Sequence, residues 1–347
     1  MKKHLIIGGG LAGVTLAWQL IKKGQGVLLI DNKKNKSSSI AAGMINPIVF
    51  RRVTKSWRVD EFLPVAKEFY KEVEVATGSR FFNSIKIRRF FSSEQEKNSW
   101  QQKQEEESYS TYLSSEESFK HKYTSPINNL GSAIVKNAYR VNAQDFMKQT
   151  HNLFETNNCL SYESFDQTKL NLDTLIYNGT KYDSVVFCCG SDQGSIPYFN
   201  SVEIQHTKGQ VLTIKATQMP EEETWNKKGF ILPIGSNLFK VGATIERNTN
   251  DTRITEAGRN ELLGVVKGLY SGSHALIDQV AGIRPTVYDR RPVMGEHPQH
   301  KGVYLFNGLG TKGYLMAPLL AQEMVGFMIE AKDLHEEVQL SRFYTNK

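Results

Sequence analysis

Cysteine is scarce in this chain: three in 347 residues, Cys159, Cys188 and Cys189. An odd count, with two adjacent inside an apolar run, argues against a disulfide framework and points to a reducing, cytoplasmic setting. No apolar run reaches the ~20 residues of a membrane-spanning helix. Met1-Lys2-Lys3 precedes an apolar stretch as in a secretory leader, but glycines interrupt it and no small-residue cleavage site follows. No metal site is expected. Charge leans one way, with 43 Lys and Arg against 36 Asp and Glu, a net +7. That favours anionic ligands without choosing among a dinucleotide, an acidic substrate and RNA. At 39% hydrophobic and 23% charged the composition is that of an ordinary globular protein, and the length suffices for two domains.

What the chain does have is glycine in the right places. Leu5-Ile6-Ile7 is a short apolar run, followed at once by Gly8-Gly9-Gly10-Leu11-Ala12-Gly13. From Val14 to Lys23 apolar residues recur at helical spacing. Val27-Leu28-Leu29-Ile30 then reads as a second buried strand ending on Asp31. Strand, glycine turn, helix, strand and acid make a dinucleotide-binding unit. Gly8 permits the tight turn, Gly10 lets a pyrophosphate approach the backbone, and Gly13 lets the helix pack close to the strand. The helix start offers N–H groups and its positive dipole end to phosphate. Asp31 can accept both ribose hydroxyls. The plain alternative is a strand-to-helix turn that binds nothing.

Farther along, Ser37-Ser38-Ser39 runs into Ala41-Ala42-Gly43-Met44. Hydroxyls followed by small residues suit a segment passing a phosphate and then a flat ring. Val59 to Thr77 is helical, with a core-facing stripe. Phe81 to Phe91 reads as a strand carrying Lys86, Arg88 and Arg89. The polar stretch 92–122 reads as a solvated helix with few anchors, or a mobile cover. Asn142 to Leu153 is helical, and Tyr182 to Gly190 is a buried strand ending in glycine. Three strand-like runs, beginning at Lys208, Gly229 and Phe239, suggest an antiparallel sheet. Ile254 to Leu269 is helical. Near the end, Val303 to Phe306, Gly308-Leu309-Gly310-Thr311-Lys312-Gly313 and a helix from Tyr314 to Ala331 repeat the order strand, glycine loop, helix. Arg284 stands alone in the apolar setting Ala281-Gly282-Ile283-Arg284-Pro285.

Taken together and in this order, these motifs resemble the FAD-dependent D-amino acid oxidase superfamily, nearest to glycine oxidase and sarcosine oxidase. The resemblance covers nearly the whole chain. It implies an α/β fold: a discontinuous Rossmann-type FAD-binding domain (1–78, 139–195 and 280–347) with an inserted α+β substrate domain (79–138 and 196–279) on a mixed or antiparallel sheet. It implies non-covalent FAD, since no cysteine lies in the C-terminal segment where a covalent link would form. Leu11, Ala12 and Gly13 would hold the pyrophosphate, and Asp31 and Asn32 the adenosine. Ser37, Ser38, Ala42, Gly43 and Met44 would lead from the pyrophosphate to the flavin. A strand near Phe165 would face the adenine, and the strand ending at Gly190 would pass under the cofactor. Gly308 to Leu315 would line the flavin's pyrimidine edge.

By the same resemblance Arg284 would bind a substrate carboxylate. Arginine independently offers a two-pronged donor for that group, though an internal Asp or Glu would serve it equally. Lys312 would help hold the carboxylate or stabilise the reduced flavin. Arg51 and Arg52 correspond to basic residues near the sarcosine oxidase site; a solvated loop is the other reading. Phe230 and Ile234 depart from glycine oxidase, which carries a tyrosine and an arginine there, so a more apolar or differently polar pocket is expected. The implied reaction is oxidation of a C–N bond of a carboxylated amine, an amino acid or N-substituted glycine. Hydride would pass to flavin N5, and the imine would hydrolyse. The electron acceptor is oxygen or another molecule. One alternative is the related oxidase of wobble-uridine tRNA, with Arg51, Arg52, Lys55, Arg58, Lys86, Arg88 and Arg89 facing RNA. Another is a non-catalytic flavin-binding module.

Overall fold

In the computed structural model, which describes residues 1–34, 36–125 and 128–344, the chain begins on strand β1 (Lys3–Ile7). Its last four residues are buried, as a central parallel strand covered on both faces requires. β1 pairs in parallel with β2 (Gly26–Asp31) on one side and Ser184–Phe187 on the other. Leu160–Tyr162 extends the sheet beyond β2, and Val303–Asn307 extends it beyond Ser184–Phe187. An antiparallel edge strand, Val293–Glu296, completes six. Helix α1 (Leu11–Lys22) connects β1 to β2 and begins three residues before its apolar spacing does. It packs on the C-terminal helix Gly313–Glu330, which packs in turn on Val59–Thr77.

The second sheet has ten strands. Along it run Glu246–Arg247, Gln205–Lys215, Leu238–Gly242, Phe230–Gly235, Glu223–Asn226, Phe82–Phe90, Ser132–Val141 and Met44–Ile45. Leu113–Glu117 pairs with Ser132–Val141, and Ala275–Thr286 runs antiparallel along the length of Gln205–Lys215. Among the described pairs of this second sheet only Glu223–Asn226 with Phe82–Phe90 is parallel. The expected domain cuts at 138/139 and 279/280 fall inside Ser132–Val141 and Ala275–Thr286.

The stretch 92–122 contains the solvated helix with few anchors read from its composition, with only Glu96 and Trp100 buried in Glu94–Gln104, but it is more than one helix. It forms the helices Glu94–Gln104 and Glu107–Ser110 and the strand Leu113–Glu117. Trp100 is its anchor: fully buried edge-on to Phe91, with its indole N–H donating to Ser114 O at 2.9 Å. One buried indole and two acids paired with arginines, Glu96 and Glu117, tie the stretch to its neighbours. Those arginines, Arg88 and Arg89, which the tRNA alternative would turn toward RNA, are each 5% exposed. Arg88 pairs with Glu223 at 2.5 Å and Glu117 at 2.8 Å; Arg89 pairs with Glu96 at 2.6 Å.

Candidate active site

A cleft of about 990 Å³ lies outside the carboxyl ends of β1, β2, Ser184–Phe187 and Val303–Asn307, and reaches the strands around Gly209 and Arg284. Ligands of open parallel sheets bind at this edge. Of the expected cofactor residues, Gly8, Gly10, Leu11, Ala12, Asp31, Asn32, Ser37, Ser38, Ala42, Gly43, Met44, Phe165, Gly190, Leu309, Gly310, Thr311 and Gly313 line it, as does Arg284. Gly13, Gly308 and Lys312 do not. Arg51 and Arg52 are exposed on a 3-10 turn outside it. Phe165 sits in the loop after Leu160–Tyr162 rather than in a strand, stacked on Tyr177.

The glycine turn is built by close approach. Gly8 has φ +106°, and a Cβ there would stand 2.4 Å from Cys188 O. A Cβ on Gly13 would stand 2.0 Å from Gly8 O, so the helix-to-strand contact read from the sequence is present. Gly9, given no role from the sequence, passes under the Asp31 side chain, whose Cβ would be 2.7 Å from an added Cβ. Gly10 meets only Ser38 Oγ, at 3.3 Å, and its side faces the cleft. No acidic residue stands in the first turn of α1, so nothing there offsets the positive end of its dipole. Leu11 N–H donates to Ser38 Oγ at 3.0 Å.

Several contributors were not singled out from the sequence, although Tyr314 falls within the expected lining from Gly308 to Leu315. His151 Nε2 donates to Gly9 O at 2.8 Å and braces the turn from helix Ala143–Thr156. The Tyr314 hydroxyl donates to Ser38 O at 2.8 Å; burial keeps its pKa above the ordinary phenol value. Cys188 and Cys189 both line the cleft, and burial raises both thiols, Cys189 to about 12, so they present neutral groups. His206 lines the wall near Arg284, with Nε2 donating to Ser191 O at 2.8 Å and Nδ1 against Asn250 Oδ1. None of these stands at a spacing that local periodicity could reveal.

The two cations expected to act together are held differently. Arg284 projects from Ala275–Thr286 into the cleft wall, and its NH1 donates to Thr244 O at 3.4 Å. Burial lowers its pKa. Among the described residues no carboxylate lies within ion-pair distance of it. The wall there carries apolar Val211, Phe230, Ala243 and Ile245 together with polar His206 and Asn250. Lys312 turns away, donating to Asn46 O at 2.8 Å and Ser56 Oγ at 2.6 Å. Burial brings its pKa down to about 8.

Comparison with known proteins agrees with this layout. The DAO family model, FAD dependent oxidoreductase, matches residues 3–326. The uncharacterized oxidoreductase YurR of Bacillus subtilis is 24% identical over 361 residues, 95% of this chain and 95% of that protein. The tRNA 5-methylaminomethyl-2-thiouridine biosynthesis bifunctional protein MnmC of Campylobacter concisus is 25% identical over 310 residues, 85% of this chain but 46% of that protein. The crystal structure of glycine oxidase from Geobacillus kaustophilus superposes with a TM-score of 0.78, covering 99% of this chain and 98% of that one at 19% identity. At that identity the structural likeness speaks for the fold. With the family match spanning nearly the whole length, the chain belongs to the DAO family of FAD-dependent oxidoreductases, and it is an enzyme.

Proposed function

We propose that this enzyme oxidises the C–N bond of a small carboxylated amine, an amino acid or an N-substituted glycine, with Arg284 as the carboxylate anchor. The observation that carries the reading is a partly buried guanidinium in the cleft wall that has a backbone carbonyl but no acid beside it. A cation taken out of water without a counter-ion is costly. A ligand carboxylate meeting its two-pronged donor face completes the site.

The residues present fit FAD. Gly10, Leu11 and Ala12 at the α1 start suit the pyrophosphate, since no acid repels it there and Gly10 leaves the approach open. Asp31 and Asn32 suit the adenosine, with Phe165 near its base. Ser37, Ser38 and Ala42 to Met44 suit the path to the flavin, whose pyrimidine edge would meet Leu309, Gly310, Thr311 and Gly313. Gly13 and Gly308 shape the backbone without touching the ligand, and Lys312 secures the Asn46–Ser56 loop rather than the carboxylate. FAD, when bound, supplies the two-electron oxidation. Arg284 orients the substrate by its carboxylate, while Phe230 and Val211 exclude water around it. The six-stranded sheet and its helices would form the cofactor domain and the ten-stranded sheet the substrate domain.

The test is anaerobic bleaching of the flavin by a panel of amino acids, N-methyl amino acids and tRNA. Bleaching by carboxylated amines is expected. Bleaching by tRNA alone would select the wobble-uridine reading that the bifunctional relative suggests, although burial of Arg88 and Arg89 removes two of the cations it relied on. Bleaching only by non-amines would overturn the reaction class.

A further inference from the structure

We infer that Gly209 is a positioning residue for the Arg284 guanidinium, an inference that rests on the function proposed above. In the ladder between Gln205–Lys215 and Ala275–Thr286, Thr207 pairs with Arg284 and Gly209 with Gly282. Residues two apart share a face, so Gly209 and Arg284 lie on the same side of the sheet. The guanidinium folds back across Gly209. A Cβ built there would stand 2.0 Å from NH2, 2.4 Å from Cζ and 2.6 Å from NH1, and these are its three nearest atoms. The missing side chain is the space the guanidinium occupies.

The requirement is for room, not for backbone freedom, since Gly209 does not have a positive φ. Nor can the strand shift to make room. On its other face, Lys208 Nζ is held by Glu246 at 3.5 Å and Asp251 at 3.2 Å. Gln210 bonds Glu246, Thr255 and Gln279. The atoms that a new Cβ would strike are the far end of a flexible side chain, which can swing away. Gly209→Ala therefore keeps the fold and displaces the guanidinium from Thr244 O.

The experiment compares wild-type holoenzyme with Gly209→Ala, Arg284→Ala and the double variant. Each is titrated with acetate while the flavin absorbance is followed, and FAD content, melting temperature, KM and kcat are measured alongside. Gly209→Ala is expected to keep its FAD and melting temperature while the acetate Kd and the substrate KM rise about tenfold or more, as for a charged contact partly lost. The double variant is expected to bind acetate no more weakly than Arg284→Ala, because the two changes act through one group. An unchanged Kd in Gly209→Ala, with Arg284→Ala weakened, overturns this inference and leaves the functional proposal standing. So does a Gly209→Ala effect that adds in full to that of Arg284→Ala. If Gly209→Ala fails to fold, removing the guanidinium must restore folding; a double variant that stays unfolded overturns the inference. Acetate affinity unaffected by Arg284→Ala, or a wild-type spectrum that ignores acetate, overturns both.

Discussion

Arg88 and Arg89 sit on an interior strand of the ten-stranded sheet, Phe82–Phe90, and Arg284 on Ala275–Thr286, which among the described strands pairs only with Gln205–Lys215. All three come from apolar-flanked strands, and all three are drawn out of water. The first two meet Glu223, Glu117 and Glu96. Arg284 meets a carbonyl. An arginine with its acid inside the protein is part of the scaffold. An arginine without one, facing a cleft, is a receptor for someone else's acid. From the sequence Arg284 could meet a substrate carboxylate or an internal acid, and Arg88 and Arg89 could face solvent or RNA; the company they keep separates them.

The largest effect should come from breaking the scaffold kind. Arg89→Ala leaves Glu96 buried without its partner and should lower unfolding stability by about 3–5 kcal/mol. Urea denaturation measures it, and acetate affinity of the folded holoenzyme should not move. The reverse result would erase the distinction. Arg284→Ala should show the mirror image: about 2–5 kcal/mol lost in carboxylate binding, with stability and FAD content nearly unchanged. Arg284→Lys should recover only part, because an ammonium lacks the paired donors.

Lys312 sharpens the comparison as a third case, a buried cation held by dipoles alone. Its folded pKa of about 8 lies below the unfolded value. The folded protein therefore releases this proton first, and the unfolded chain holds more protons in between. Stability should rise from pH 8 to about 10.4, by up to about 3 kcal/mol at 1.36 kcal/mol per unit. The difference between wild type and Lys312→Met, followed by denaturation across that window, isolates this lysine. A flat difference would mean that its bonds to Asn46 O and Ser56 Oγ offset burial in full. The smallest effect belongs to Ser37→Ala. The Ile283 N–H, which donates to Ser37 Oγ at 3.0 Å, loses its acceptor. About 1 kcal/mol of stability should go with it, read from the melting curve.

The parts of the site that were legible in the sequence are those encoded locally. Gly8 to Gly13 and Asp31 announce themselves because turn, helix and strand periods are properties of neighbouring residues. The same holds for Gly308 to Gly313. The partners of Trp100 could not be read, because Phe91 lies just beyond the strand Phe82–Phe90 and Ser114 in the strand Leu113–Glu117. His151 and Tyr314 brace the cofactor side from distant helices for the same reason. Lys312 was placed in the correct loop, but the direction of its side chain depends on Asn46 and Ser56, far away in the chain. Arg284 was recognised by its setting, while Gly209, which makes room for it, carries no local mark.

The Ser37–Ile283 bond has a consequence beyond stability. The short turn Ser37–Ile40 rests directly on Gly282: a Cβ there would meet Ile40 Cδ1 at 2.6 Å and Ser37 Oγ at 3.2 Å. The chain that would follow the dinucleotide thus leans on the two residues preceding Arg284. If occupation of one end of the cleft steadies that turn, it steadies the carboxylate receptor too, and the two binding equilibria are linked. Linkage is reciprocal: whatever factor FAD adds to the affinity for a carboxylate, the carboxylate must return to the retention of FAD. Substrate then becomes a stabiliser of the holoenzyme, and starvation for substrate a route to the apoprotein.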